Sequence, residues 1–163
     1  MSYPEAKYRG DGGEVSAVLR SGDAEPELRI GAVSAAAYLA TGATTGGQFG
    51  LYRWDMGPAP AGAAPHVHRT MSESFFVISG TVRFFDGARW FSGRPGDFVY
   101  VPEGGIHAFR NESGEPASML ILFVPGAPRE EYFETLAAVA RGERTITPEE
   151  LRDLQLRHDN IMV

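Results

Sequence analysis

The chain has 163 residues, 43% hydrophobic and 11% aromatic, enough for one domain with a real core and too apolar for a disordered protein. A net charge of −6 without any cluster of Lys or Arg excludes a nucleic-acid surface, and the absence of cysteine excludes disulfides, thiolate metal sites and thiol redox chemistry. No stretch approaches the ~18 apolar residues of a membrane span, and the first residues lack the apolar core of a secretory signal, so a cytoplasmic protein without membrane partners is expected.

Taken in chain order, residues 1–27 read as a polar arm with one short strand candidate at Glu14–Leu19. The span 28–126 reads as β, in short runs broken by Gly, Pro, Asp and Asn. Strands are expected at Ala32–Leu39, Gly47–Met56, His66–Arg69, Glu73–Ser79, Thr81–Phe85, Arg89–Phe91, Phe98–Val101, His107–Asn111 and Met119–Val124. The alanines of Val33–Ala40 also suit a helix, but Gly31 and the glycine-rich turn after Thr41 bracket the segment and favour a strand. Strands this short and numerous indicate an all-β barrel or sandwich. The remainder, 127–163, reads as a helical tail. Glu130–Arg141 carries Phe133, Leu136, Ala137, Val139 and Ala140 at helical spacing, and a second helix opens on the capping box Thr147-Pro148-Glu149-Glu150 with a Leu151, Leu154, Leu156 stripe. Helices this short must pack on the barrel or on a partner chain. Together with an edge strand from the arm, their apolar faces predict a homodimer.

The chemistry-bearing residues are concentrated. Three of the four histidines fall in two clusters, His66-Val67-His68 followed by Glu73, and then His107. Side chains two apart on a strand share a face about 6.6 Å apart, so both imidazoles of the first cluster can reach one ion. Imidazoles with a carboxylate suit one divalent transition metal per chain, Fe, Mn, Ni, Co or Zn. The plainer alternative is a set of packed core histidines.

The framework around these residues is also patterned. His66-x-His68, four residues, Glu73, six residues, Gly80 is followed by Gly96, five residues, Pro102-x-Gly104, two residues, His107, three residues, Asn111. This pair of segments resembles the two motifs of the cupin superfamily, with Pro60 standing where the first motif usually opens on glycine. The resemblance implies a double-stranded β-helix, or jelly-roll barrel, over 28–126. It also implies the metal ligands His66, His68, Glu73 and His107. The stretch around Thr45-Gly46-Gly47-Gln48-Phe49, Pro125-Gly126 and the tail to Arg157-His158-Asp159-Asn160 is similar to small bacterial single-domain cupins described as quercetin 2,3-dioxygenase-like. That subgroup implies a metal-dependent dioxygenase acting on a flavonol-like or polyketide-like aromatic enol, with dioxygen as co-substrate and Glu73 doubling as ligand and catalytic base. A non-redox isomerase, cyclase or lyase, and a non-catalytic small-molecule-binding cupin, stand beside it as alternatives.

The expected pocket wall is aromatic and apolar. Phe75 shares the parity of Glu73 and Phe109 that of His107, while Phe49, Tyr52, Trp54, Met119, Ile121 and Phe123 lie on strands that line or back the barrel. Most of these are core residues on elementary grounds; collectively they suit a flat, largely apolar substrate with a few oxygen donors. Arg53 is expected to point outward, and His158 to lie at the surface or a helix end.

Overall fold

A computed structural model describes residues 2–30 and 34–163. Period-2 alternation of apolar and polar side chains builds two antiparallel sheets that face each other across the core. The six-stranded sheet runs in the order β1 (Leu28–Ile30), β2 (Ser34–Ala40), β3 (Gly50–Met56), β10 (Ala117–Val124), β5 (Ser72–Ser79), β8 (Phe98–Val101). The five-stranded sheet runs β11 (Ile161–Met162), β4 (Ala61–Val67), β9 (His107–Asn111), β6 (Val82–Phe85), β7 (Trp90–Gly93). Two helices, α1 (Glu130–Ala140) and α2 (Pro148–Arg157), follow β10 and precede β11 in the chain.

Register fixes which side chains face inward. Phe123, Ile121 and Met119 of β10 stand opposite Glu73, Phe75 and Val77 of β5, and Tyr52 and Trp54 of β3 stand opposite Ile121 and Met119. A one-residue slip would turn all of them outward. Phe84 and Phe109 close this core from the second sheet, with Phe75 between them at ring distances of 5.2 and 5.6 Å. Asn111, fully buried, ties the end of β9 to the carbonyls of Gly57 and Glu115.

Several elements differ from expectation for identifiable reasons. Glu14–Leu19 forms no strand; Val15, Val18 and Leu19 are exposed, and the three adjacent apolar residues Ala17, Val18 and Leu19 leave the segment without a single apolar face. The strand placed at Gly47 begins at Gly50, because Gly46 and Gly47 take positive φ and complete the turn. Ala32 and Val33, the expected start of β2, lie outside the described residues. The strand placed at His66–Arg69 starts five residues earlier and ends at Val67, leaving His68 just beyond it. Its run Ala-Gly-Ala-Ala-Pro lacks bulky β-formers, yet it pairs with β9 through an irregularity between Ala63 and His66 that accommodates Pro65. Gly62 permits that pairing, since a Cβ there would stand 2.1 Å from the Phe109 carbonyl oxygen. The tail is not wholly helical either: Ile161–Met162 returns as a strand beside β4.

The helices form as their caps dictate. Thr147 accepts from the Glu150 amide at 3.2 Å, and the Glu150 carboxylate accepts from the Thr147 amide at 2.8 Å. Leu154 is buried beneath α2, whereas Leu156 is 56% exposed on its far side, a departure from the expected stripe. On α1, Phe133 packs edge-on against Tyr52 and Trp54. Among the described residues no helix is long and apolar enough to cross a membrane.

Candidate metal centre and its cavity

Four side chains converge where the sheets meet. His66 comes from the end of β4, His68 from the turn after it, Glu73 from β5 and His107 from the start of β9. All are at most 4% exposed, and one ligand atom from each lies within 4.8 Å of the others. The sequence clusters are therefore brought together as a set.

The hydrogen bonds around the rings decide which nitrogens face inward. His66 Nδ1 donates to the Ala64 carbonyl at 2.8 Å, His68 Nδ1 to that of Asp159 at 2.6 Å, and His107 Nδ1 to that of Gly105 at 2.9 Å. A carbonyl oxygen only accepts, so each Nδ1 carries the proton and a neutral ring presents a bare Nε2 lone pair. His68 Nε2 and His107 Nε2 both approach Glu73 Oε2, at 2.9 and 2.8 Å. Two lone pairs against one carboxylate oxygen repel unless the nitrogens gain protons or a cation sits among them. A divalent ion satisfies all four donors at once, and backbone carbonyls behind imidazoles are the usual way of fixing ligand tautomers. The donor set fits one such metal.

Electrostatics point the same way. Burial and neighbouring His107 push His66 down to about 4, so its ring is neutral at pH 7 and its lone pair is available. Burial would raise the Glu73 carboxyl, but hydrogen bonds from His107 and His68 outweigh it and hold the group below the usual carboxylate range. Burial also opposes protonation of His107, but the hydrogen bond and charge of Glu73 lift it above its ordinary value.

The cluster opens, through His66 and Glu73, onto a cavity of about 440 Å³ between the sheets and the tail. Of the expected wall residues, Trp54, Phe109, Ile121 and Phe123 line it. Tyr52, Phe75 and Met119 are buried behind that wall, with the Tyr52 hydroxyl donating to Glu130 at 2.6 Å. Phe49 lies outside the cavity, 37% exposed, because the turn delays the start of β3 past it. Arg53 pairs with Asp55 on the outer face.

The tail supplies functional residues that sequence reasoning passed over. Asp159, at φ 54°, offers its carbonyl to His68, while its carboxylate accepts from the amides of Arg69 and Thr70 and from the Thr70 hydroxyl, each at 2.8 Å. Arg129, immediately before α1, places its guanidinium at the cavity and donates to Asn160 Oδ1 at 2.7 Å and to the His158 carbonyl. His158 does cap α2, but its side chain is only 8% exposed. The Arg157-His158-Asp159-Asn160 run was the available signal, though it carries no pattern that places it beside His68.

Comparison with known proteins agrees with this architecture. The family Cupin_2, cupin domain, matches residues 52–123. A stretch of 92 residues is 30% identical to the quercetin 2,3-dioxygenase of Bacillus subtilis (strain 168), covering 56% of this chain and 26% of that protein, so the chain spans about a quarter of its length. Among solved structures, a predicted oxalate decarboxylase from Thermotoga maritima superposes with a TM-score of 0.58 at 18% identity, covering 67% of this chain and 99% of that one. A protein from Thermus thermophilus gives 0.50 at 23% identity, covering 62% and 87%. At these identities the structural likeness is one of fold. The matched span contains all four converging donors on a frame of two facing sheets, a double-stranded β-helix, and over residues 52–123 the chain carries a cupin domain.

Proposed function

We propose that this cupin is a metal-dependent dioxygenase acting on an aromatic enol of flavonol-like or polyketide-like shape. The observation that carries the reading is the buried three-histidine, one-glutamate set opening onto an aromatic-walled cavity of about 440 Å³. The partial likeness to a quercetin 2,3-dioxygenase supports the same reaction class. A divalent transition metal on these donors would lower the pKa of a bound hydroxyl and, if redox-active, would supply one-electron chemistry toward dioxygen.

The chain's own residues do the rest. Trp54, Phe109, Ile121 and Phe123 hold a flat ring system and exclude water from the reacting carbon. Glu73 reaches the cavity as a carboxylate, and it is the acceptor for the substrate hydroxyl proton.

Oxygen-electrode traces of the iron, manganese, nickel and cobalt forms over a panel of flavonols and polyketide-like enols test the proposal. Consumption by at least one form is expected, with Glu73→Gln losing turnover roughly a hundredfold or more while three imidazoles retain part of the metal. Absence of oxygen uptake in all four forms would hand the site to the isomerase, cyclase or lyase reading. We further propose that the protein works as a homodimer, joined through the outer face of the six-stranded sheet rather than through the arm.

A further inference from the structure

Arg129 is the buried arginine of the described residues, 2% exposed, and among those residues no carboxylate lies within ion-pair distance of it. Arginines 20, 29, 53, 83, 89, 110, 141 and 157 all pair with Asp or Glu nearer the surface. An unpaired buried charge is strongly disfavoured, and arginine does not escape by losing its proton. Two of its nitrogens are occupied, by Asn160 Oδ1 and the His158 carbonyl, while the buried Nε has no partner among the described residues. Clamping the tail thus explains part of its hydrogen bonding and leaves the guanidinium without a carboxylate in contact, Glu73 and Asp159 acting on it only at longer range. The rings of Tyr132, Phe123 and Phe133 surround the guanidinium at 4.8, 5.0 and 5.4 Å, which holds it rigidly and shields it from water.

The charge balance of the cavity sharpens the point. Glu73 is the sole acidic residue of its lining among the described residues, and Asp159 adds a second negative charge nearby, its carboxylate held by the neutral Arg69 and Thr70 amides and the Thr70 hydroxyl. With a divalent ion on the histidines, +2 from the ion, −1 each from Glu73 and Asp159, and +1 from Arg129 leave a net positive charge of +1 around an apolar enclosure.

Resting on the reading of this cavity as the substrate site, we propose that its ligand is an anion: an aromatic or enolic molecule whose carboxylate pairs with the guanidinium of Arg129 while its ring lies along Trp54 and Phe109. Arg129 is then the specificity-determining residue, selecting acids over neutral molecules of the same shape. Planar, rigid donors suit a carboxylate, and a site built for a charged partner rejects its neutral isostere.

Calorimetric titration of the full chain with benzoate, 2-hydroxybenzoate and 4-hydroxycinnamate, each against its primary amide, tests this directly. The acids should bind roughly ten- to hundredfold more tightly than the amides. Arg129→Gln should erase the preference and Arg129→Lys should keep much of it. In a His66→Ala, His68→Ala variant, impaired in metal binding but with Arg129 intact, the preference should persist, and this arm decides the matter if the Gln variant does not fold. Equal affinity for acid and amide, binding of neither, a preference undiminished in Arg129→Gln, or its loss in the histidine variant would each overturn the proposal. None of these arms uses oxygen consumption, so a dioxygenase of neutral enols would refute the role of Arg129 and leave the reaction standing.

Discussion

At the residue scale, the site's behaviour turns on how burial and mutual charge set apart His66 and His107, two imidazoles that would otherwise titrate alike. His66 is protonated in the unfolded chain below about 6.5 but in the folded, metal-free protein only below about 4. Between those values the unfolded state binds the extra proton, so stability contributed by neutral His66 is complete above pH 6.5 and lost as pH falls toward 4. His107 has the opposite sign: its raised value favours the folded state below its unfolded pKa, an advantage lost as pH rises through the folded one. It therefore adds no slope to the acid window. Thermal unfolding of chelator-treated protein should show Tm falling from pH 6.5 to 4, and His66→Gln should flatten that fall. An equal slope in both proteins would mean that other groups govern acid stability.

At the element scale, the tail after α2 acts as a strut for the candidate metal centre. The Asp159 carboxylate secures three donors of the Arg69–Thr70 turn, and its carbonyl fixes the ring of His68. Asp159→Ala should cost about 1–3 kcal/mol, a Tm decrease of roughly 3–10 °C, and should lower metal content per chain measured by elemental analysis. An unchanged metal content would separate the strut from the site. This coupling also shows where sequence reading stops. HxH spacing, Glu73 and His107 were legible because metal chemistry restricts residue type and strand periodicity restricts position. The capping box at Thr147 was legible because it is local. The bulged start of β4 was not, since Ala-Gly-Ala-Ala-Pro announces a loop until Phe109 and Arg110 are seen against Gly62. Nor were Arg129 and Asp159, whose roles depend on contacts 29 to 91 residues away.

At the scale of the whole molecule, one face lacks a cover among the described residues. Phe76 and Ile78 of β5 and Phe98 and Tyr100 of β8 point away from the core and are 41 to 62% exposed, with Phe76 directly opposite Phe98 in register. Leu120 and Leu122 of β10 extend this surface across the sheet, opposite Phe76 and Ser74. β8 is also an edge strand, a position that proteins ordinarily protect with charge, proline or a partner. A contiguous apolar sheet face beside an open edge suits a second copy related by a twofold axis, because an isologous contact buries the same residues twice. The tail helices do not serve that purpose, since Phe133, Leu136 and Ala140 of α1 are spent on the cavity wall. Light scattering coupled to size exclusion should give twice the 17.7 kDa chain mass at micromolar concentration. A Phe98→Glu, Tyr100→Glu variant should elute as a monomer with its metal content intact, because both side chains point away from His66, His68, Glu73 and His107. A monomeric wild-type protein would refute the dimer, and a variant that stays dimeric would move the interface elsewhere on the barrel.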